Sequence, residues 1–586
     1  MITDQFNEIW AVDFEFRQPR GERPDVICMV AHEIKSGRWL RMWQDELKCL
    51  SRPPFGIGQD DLFIAYYASA EMNCHLSLGW ELPRNLIDLY AEFRCRVNGL
   101  PYPFDDKPNN SLVTALRWSG LETLDAANKA EMQGLAMRGG PYTCDEKKAL
   151  LEYCGEDVQV LPGLLNKLEC GRNNQGIDLH AAWIGGEYVK TVARMEFRGI
   201  PIDVEACNEL LLNWPQVEES LVTDIDGRYG VYADGVFKEH LFAQYLVREG
   251  IPWEVLPSGK ARLDKEFFKE MSESYPILKP LYDLRQTLSK MRNNKLAVGS
   301  DGRNRTLLGP FGASSGRNAY KAGEYIFGQS AWLRGLIKPE PGSGLAYIDW
   351  CQQEFGIAAA LSKDQAMMEA YSTGDPYIAF GKACGDIPPD GTKESHGELR
   401  TLFKQCVLGI LYSIGAKSLA LRIKKPEVFA KWLLDQHRRK YRRFWQWSDG
   451  IVHYGSLYGK LWTTYGWERN IASGFRPTSL RNFPVQGNAA DMLRLACIEC
   501  EKREVRTIGT LHDAILIEFD LRDEHEAIAT AKDAMMEASS LVLDGFELRS
   551  EAKRVLYPDR YFSDRGLEMW NRVWRIIEEL KTQDSS

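Results

Sequence analysis

The sequence predicts a multi-domain α/β protein, and three observations carry this. Its 586 residues suffice for about four domains by the usual length prior. Short apolar runs of strand character contain or end in acids: W-A-V-D-F-E-F (10–16), L-A-Y-I-D (345–349) and T-L-H-D-A-I-L-I-E (510–518). Helical patterns separate those runs and dominate the middle of the chain.

Composition sets the outer limits. The 44% hydrophobic and 26% charged content is that of a soluble globular protein. No apolar run reaches the ~18 residues of a membrane span, so no membrane partner is expected. The N-terminus is acidic and enters a strand at once, unlike a signal or transit peptide. Thirteen scattered cysteines, an odd number, fit a reducing compartment, and a cytoplasmic location is expected. Cys497-x-x-Cys500 has no second pair to complete a zinc site, so both are read as helix residues, one of them buried. The net charge of −9 does not exclude nucleic acid, because a cleft's local field can oppose the overall balance. Basic runs at 422–425 and 437–445 read individually as solvated helix faces and jointly as a patch for a phosphate backbone.

Along the first block, to about residue 172, strands are expected near 8–16, 26–34 and 62–67. Helices are expected near 81–97, 111–119 and 145–168. C-G-R-N-N-Q-G (170–176) reads as a linker. Helical patterns resume at 180–198 and 204–213, with a turn into a short strand at 199–203. Residues 262–297 read as largely helical. The Gly- and Arg-rich stretch 301–320 reads as a hairpin or loop able to approach a polyanion. Strand and long helix alternate from 345 onward.

Asp349 ends an apolar strand, and His512-Asp513 sits at a turn between two others. They are far apart in sequence, so only the fold can unite them. Two such carboxylates can clamp metal ions about 3.5–4 Å apart and stabilise the attacking and leaving oxygens of a displacement. Between them, Arg400, Lys404, Leu408 and Tyr412 recur every fourth residue. Each step drifts about 40° around a helix, so all four share one broad face. The cations suit phosphates and the later members suit sugar and base. Alone, R-x-x-x-K is usually a solvated helix face; its position between the two acidic strand ends gives it weight.

These residues resemble DNA polymerase family A. D-W-C-Q-Q-E (349–354) is similar to its motif A, R-T-L-F-K-Q-C-V-L-G-I-L-Y (400–412) to motif B and L-H-D (511–513) to motif C. N-F-P-V-Q-G-N-A-A-D (482–491) resembles the family's N-x-P-x-Q-G-x-A-A-D, and S-S-G-R (314–317) its T-G-R. The resemblance spans about residues 180–586 in family order. It implies a right hand of thumb (about 204–300), palm (about 301–363 and 466–586) and fingers (about 364–465), within a polymerase unit of residues 173–586.

It also implies roles. Asp349 and Asp513, helped by the Trp350 carbonyl, would hold two Mg²⁺ ions, with Mn²⁺ an alternative. Arg400 and Lys404 would bind the incoming triphosphate, beside Gln352 and Leu408. Glu354 would pack with Tyr412 where a ribose 2′-hydroxyl would lie, and so select dNTPs. Arg317, Asn482, Gln486 and His512 would contact primer–template DNA. Departures are Leu408 for an aromatic residue, Cys351 for Ser, Ser413 for Gly and Thr478 for Arg. Ala514 replaces a common Glu, so a third carboxylate is missing or supplied elsewhere.

In the first block, Asp13 and Glu15 sit at i and i+2 of a strand and share one face. Tyr153 and Asp157 sit at i and i+4 of a helix. Each pattern alone is common. Together they resemble the DEDDy class of 3′–5′ exonucleases, on an RNase H-like domain of residues 1–172. Glu71, in A-Y-Y-A-S-A-E-M (65–72), would be the middle acid, its longer arm expected to shift one metal; Asp88 would be structural. Asp13, Glu15, Glu71 and Asp157 would hold two metals, Tyr153 would orient the attacking water, and a single-stranded DNA 3′ end would be the substrate. No 5′-nuclease block is expected ahead of this domain.

The implied function is DNA synthesis on a primer 3′ end with proofreading, in a monomer of a divergent, phage-like branch serving phage replication. Accessory partners are unreadable. A single-subunit RNA polymerase is the first alternative, against which Glu354 stands. A repair nuclease with a non-catalytic, DNA-binding C-terminal part is the second.

Overall fold

The computed structural model describes residues 2–101, 109–122, 126–170, 176–292, 294–472, 474–563 and 565–584. The N-terminal unit is built on a mixed five-stranded sheet: β1 (Glu8–Arg17), β2 (Asp25–Glu33), β3 (Trp39–Trp43), β4 (Asp61–Ala65) and β5 (Asn85–Asp88), in the order 3-2-1-4-5. β1–β2 and β2–β3 are antiparallel, whereas β1–β4 and β4–β5 are parallel. Helices α1 (Ser69–Ser77), α2 (Leu89–Val97) and α3 (Cys144–Cys170) cover it.

β3 and α1 escape the sequence reading, and residues 81–97 are corrected. N-L-I-D is strand β5, and only 89–97 is helix. The switch occurs at Asp88, whose Oδ1 caps α2 by accepting from Tyr90 N at 3.0 Å. The linker expected at 170–176 lies mostly outside the described residues.

α4 (Leu179–Arg198) joins the two units. It packs on α1 and β5 on one side, and on the helix Pro477–Lys502 and the strand Arg506–Leu511 of the second unit on the other. Gly186 makes this possible: a Cβ there would lie 2.1 Å from Leu86 O, so only glycine admits the approach of helix to sheet. α5 (Val204–Tyr229) runs well past the expected 213, and α6 (Lys279–Arg292) packs against it. Ile200–Pro201 pairs with Arg303–Asn304, and residues 305–320 are otherwise loop.

The second unit centres on an antiparallel four-stranded sheet. Its first strand is β6 (Ser343–Trp350), followed by α7 (Gln353–Ser362), α8 (Pro376–Cys384), α9 (Gly397–Leu411) and α10 (Arg442–Tyr458). A small hairpin, β7 (Lys460–Trp462) and β8 (Glu468–Asn470), leads to the long helix α11 (Pro477–Lys502). β9 (Arg506–Leu511), β10 (Ala514–Asp520), α12 (Glu524–Val542) and β11 (Ser550–Leu556) complete it, with sheet order 9-10-6-11.

Burial alternates along β6. Ile348 and Trp350 face the covering helices, where Trp350 Nε1 donates to Met535 O of α12 at 3.3 Å, while Tyr347 and Asp349 face the cleft. Cys497 and Cys500 are both buried in α11, where only one was expected to be. The basic run 437–445 is partly core, since His437, Tyr441 and Phe444 are buried and only the arginines and Lys440 face outward. No helix among the described residues is long and apolar enough to cross a membrane.

Candidate active sites

The C-terminal site is assembled by strand register. Leu511 pairs with Ala514, so His512-Asp513 is a two-residue turn between β9 and β10, with His512 at φ 56°. Asp349 pairs with Ala514 on one side and with Glu551 of β11 on the other. The turn therefore places Asp513 beside Asp349. Their mutual charge is visible: Asp349 is pushed up to about 7, first by burial and then by Asp513. Asp513 is also raised, by burial, against the pull of Arg317. Asp349 Oδ1 is buried without a hydrogen-bond partner.

Lys404 of α9 is exposed, and its charge favours ionised Asp349. Arg400, one turn earlier, is ion-paired through Nε with Asp375 and lies 5.6 Å over the Tyr377 ring. Leu408 is half-buried on the same helix, and Tyr412 caps its end.

The Tyr412 hydroxyl donates to Glu354 Oε1. Gln486 Nε2 reaches the same Glu354 oxygen at 2.6 Å and the Tyr412 hydroxyl at 2.8 Å. Burial, then the Glu354 hydrogen bond, raises the Tyr412 phenol, and Asn482 hydrogen-bonds that phenol too. Arg317 acts electrostatically on Tyr412, His512 and Asp513, so it lies near both the Tyr412 phenol and the acidic turn. The His512 imidazole is lowered, first by burial. Gln352, at φ 48°, opens α7 and accepts from Arg549 at 3.4 Å. The Trp350 side chain is buried, so only its main chain can serve this cleft.

In the N-terminal unit, Asp13 and Glu15 of β1, Glu71 of α1, and Tyr153 and Asp157 of α3 line one cavity of about 490 Å³. Asp13 is pushed up to about 8, first by burial and then by Asp157. Glu15 and Glu71 lie well above the usual range through burial, then Asp13, and Asp157 is raised by burial. Asp13 Oδ2, Glu71 Oε2 and Asp157 Oδ1 are buried without partners. Asp88 instead caps α2 and binds Tyr67 N at 2.9 Å, a structural duty.

Spare buried oxygens on mutually repelling carboxyls suit divalent cations in both places. Yet among the described residues no group of three or more His, Cys, Asp or Glu side chains stands ready to hold a metal ion. The N-terminal acids share one cavity without closing on one point.

Three participants escape sequence reasoning. Glu551 sits on a polar strand, S-E-A-K-R, with no motif; only register sets it against Asp349. Asp375 and Tyr377, which hold Arg400, are the cap and a first-turn residue of a separate helix, α8. A further cavity of about 510 Å³, lined in part by Glu92, Trp467 and Arg494, contains none of the expected residues.

Comparison with known proteins points one way. Residues 327–551 match DNA polymerase family A. DNA polymerase I of Aquifex aeolicus (strain VF5) is 25% identical over 437 residues, covering 67% of this chain and 73% of that one. The thermostable DNA polymerase I of Thermus caldophilus is 24% identical, covering 72% and 52%. DNA polymerase I of Chloroflexus aurantiacus is 24% identical, covering 59% and 40%. The chain thus spans most of the Aquifex protein and about half or less of the other two. A solved structure, the POL domain of Pol1 from M. smegmatis in complex with DNA primer-template and dNTP, superposes with TM-score 0.71 over 94% of this chain and 96% of that one, at 17% identity. This likeness shows the fold.

Proposed function

We propose that the chain, which matches DNA polymerase family A over residues 327–551 and is similar to bacterial DNA polymerase I, is a DNA-directed DNA polymerase with a 3′–5′ proofreading exonuclease. One observation supports the polymerase reading: the register of the sheet sets the Asp513 turn beside Asp349, with Lys404 of α9 near enough for its charge to favour ionised Asp349. We assign residues 1–172 to the exonuclease and 173–586 to the polymerase. Within the latter, thumb is about 204–300, palm about 301–363 and 466–586, and fingers about 364–465.

Asp349, Asp513 and the Trp350 carbonyl would hold two divalent ions, with Glu551 a third nearby carboxylate. Such ions supply charge stabilisation at the attacking and leaving oxygens. The chain's own residues do the rest. Lys404 and Arg400 hold the triphosphate, Arg400 exchanging Asp375 for phosphate. Gln352 and Leu408 border the nucleotide. Glu354, fixed by Tyr412 and Gln486, fills the place of a ribose 2′-hydroxyl. A hydroxyl pressed against this occupied acceptor finds neither room nor a free partner. Arg317, Asn482, Gln486 and His512 face primer–template DNA; Arg317 Nε and Asn482 Oδ1 are buried and unpaired, which supports an external partner.

In the exonuclease, Asp13, Glu15, Glu71 and Asp157 would hold two divalent ions, and Tyr153 would orient water toward a single-stranded 3′ end. Action as a monomer, in phage replication and in a cytoplasm, is part of the same proposal.

The test is extension of a labelled primer–template with Mg²⁺, with and without dNTPs. Longer products with dNTPs and shorter ones without are expected. Absence of extension refutes the polymerase reading, and preference for rNTPs transfers it to an RNA polymerase.

A further inference from the structure

We propose that helix α2 of the N-terminal unit is the support that holds the second unit's primer-side loop, residues 309–317, with Asn98 as its positioning residue. The inference rests on the reading of Arg317 as a primer–template contact.

Asn98 directly follows α2 and is 2% exposed. Its Nδ2 donates to two carbonyls of the other unit, Ser314 O at 2.7 Å and Glu468 O at 2.7 Å. Its own carbonyl accepts from Asn470 N at 2.8 Å and Asn470 Nδ2 at 3.1 Å. Asn470 Nδ2 also reaches Arg96 O at 3.0 Å. Arg94 Nη2 donates to Gly312 O at 3.0 Å. Gly99, at φ 83°, admits the Asn470 main chain: a Cβ there would stand 2.2 Å from its carbonyl. One turn of helix thus binds both the loop and hairpin β7–β8.

The loop is stiff enough to transmit this. Gly316 N bonds Ala313 O at 2.9 Å and Ala313 N bonds Arg317 O at 3.0 Å, so Ser314 and Arg317 belong to one tight turn. Trp467 Nε1 adds a bond to Ser314 O at 3.0 Å, and Arg494 Nη1 holds Gly316 O at 2.8 Å from α11. Removing the α2 side leaves α11 and Trp467 to fix Arg317. The other end of α2 reaches the exonuclease cavity, since Tyr90 lines that cavity and hydrogen-bonds Arg94. One short helix therefore touches the degradative cavity and the primer-side loop.

A carboxylate cannot donate, so Asn98→Asp takes away the side-chain donor to Glu468 O and one of the two donors to Ser314 O, leaving the latter only Trp467 Nε1, at almost unchanged volume. Asn470→Asp removes the reciprocal side-chain donors from the other face. Each variant is assayed as the full chain for melting temperature, primer–template affinity, kcat at saturating DNA, KM for dNTP and degradation of a single-stranded oligonucleotide. The expected result for Asn98→Asp is about tenfold weaker primer–template binding, with kcat, dNTP KM and degradation within about twofold of the wild type. Asn470→Asp should weaken binding in the same sense, and the double variant should fall short of the product of the two.

Unchanged primer–template affinity in a folded Asn98→Asp protein overturns the inference. So does an equal fall in binding, kcat and degradation, which marks general destabilisation. If Asn98→Asp does not fold, Asn470→Asp decides by the same criteria. Wild-type extension in the same assay separates this outcome from failure of the polymerase reading.

Discussion

Asp349 and Glu551 are direct cross-strand partners, on β6 and β11 of one antiparallel sheet. Such partners have Cβ atoms about 4.5–5.5 Å apart on the same face. Glu551 opposes ionisation of Asp349, and it hydrogen-bonds the thiol of Cys351, which burial pushes up to about 11. On the other flank the partner is Ala514, where a carboxylate was missed in the sequence. Glu551→Gln should weaken Mn²⁺ binding, read by electron paramagnetic resonance of the protein without nucleotide. It should also lower kcat/KM for dNTP by about tenfold, or ~1.4 kcal/mol. Unaltered Mn²⁺ affinity would remove Glu551 from the site.

The raised carboxyls set the pH response of the metal-free protein. An unfolded Asp titrates near 3.9, whereas Asp349 is held at about 7 and Asp13 at about 8 in the fold. The folded state therefore binds protons more tightly between those values. The stabilisation is full below about pH 4 and is lost as pH rises through 7 to 8. The melting temperature should accordingly fall from pH 5 to pH 8. Asp13→Asn should flatten that fall and melt above the wild type at pH 8. Added divalent cation should raise the wild-type melting temperature more at pH 8 than at pH 5. A steeper fall in Asp13→Asn would contradict the assignment.

The Glu354–Tyr412–Gln486 cluster should control sugar choice. Glu354→Ala is expected to reduce discrimination between dNTP and rNTP by about 100-fold, measured as the ratio of kcat/KM values. Gln486→Ala, which frees one Glu354 contact but keeps its bulk, should have a smaller effect. Full discrimination in Glu354→Ala would show that the selecting contact lies elsewhere.

Asp375 serves two purposes that can be separated. Its Oδ1 caps α8 by accepting from Tyr377 N and Ile378 N, each at 3.1 Å, while its other oxygen holds Arg400. Asp375→Asn can keep the cap and lose the ion pair, so stability should change little while dNTP KM shifts. Asp375→Ala should lose ~1 kcal/mol in addition, seen in urea unfolding. Equal stability of the two variants would deny the cap.

Legibility in the sequence followed the strength of local pattern. Asp13 and Glu15 could be named because they interrupt an apolar strand whose other residues explain themselves, Asp349 because it stands near the end of one, and Asp513 because it stands at the turn between two. Strand β5 could not: N-L-I-D is too short for a period, and it runs straight into a helix, so 81–97 read as one helix. W-L-R-M-W of β3 carries too few alternations to separate from a loop. Glu551, Asp375 and Asn98 lie in polar surroundings, and their partners are more than two dozen to several hundred positions away, so only tertiary register brings out their roles. The α8 cap shows the limit well, because a capping Asp is common and its second oxygen's partner is not encoded nearby.

The most direct measurement of the central claim is nucleotide incorporation by three purified variants with Mg²⁺, each also tested on a single-stranded oligonucleotide. Asp349→Ala and Asp513→Ala should each lose incorporation while still shortening the oligonucleotide, and Asp13→Ala should do the reverse. Incorporation near the wild-type rate by either of the first two variants would contradict the account, because the two carboxylates brought together at the β6 and β9–β10 ends would then not be the reacting centre.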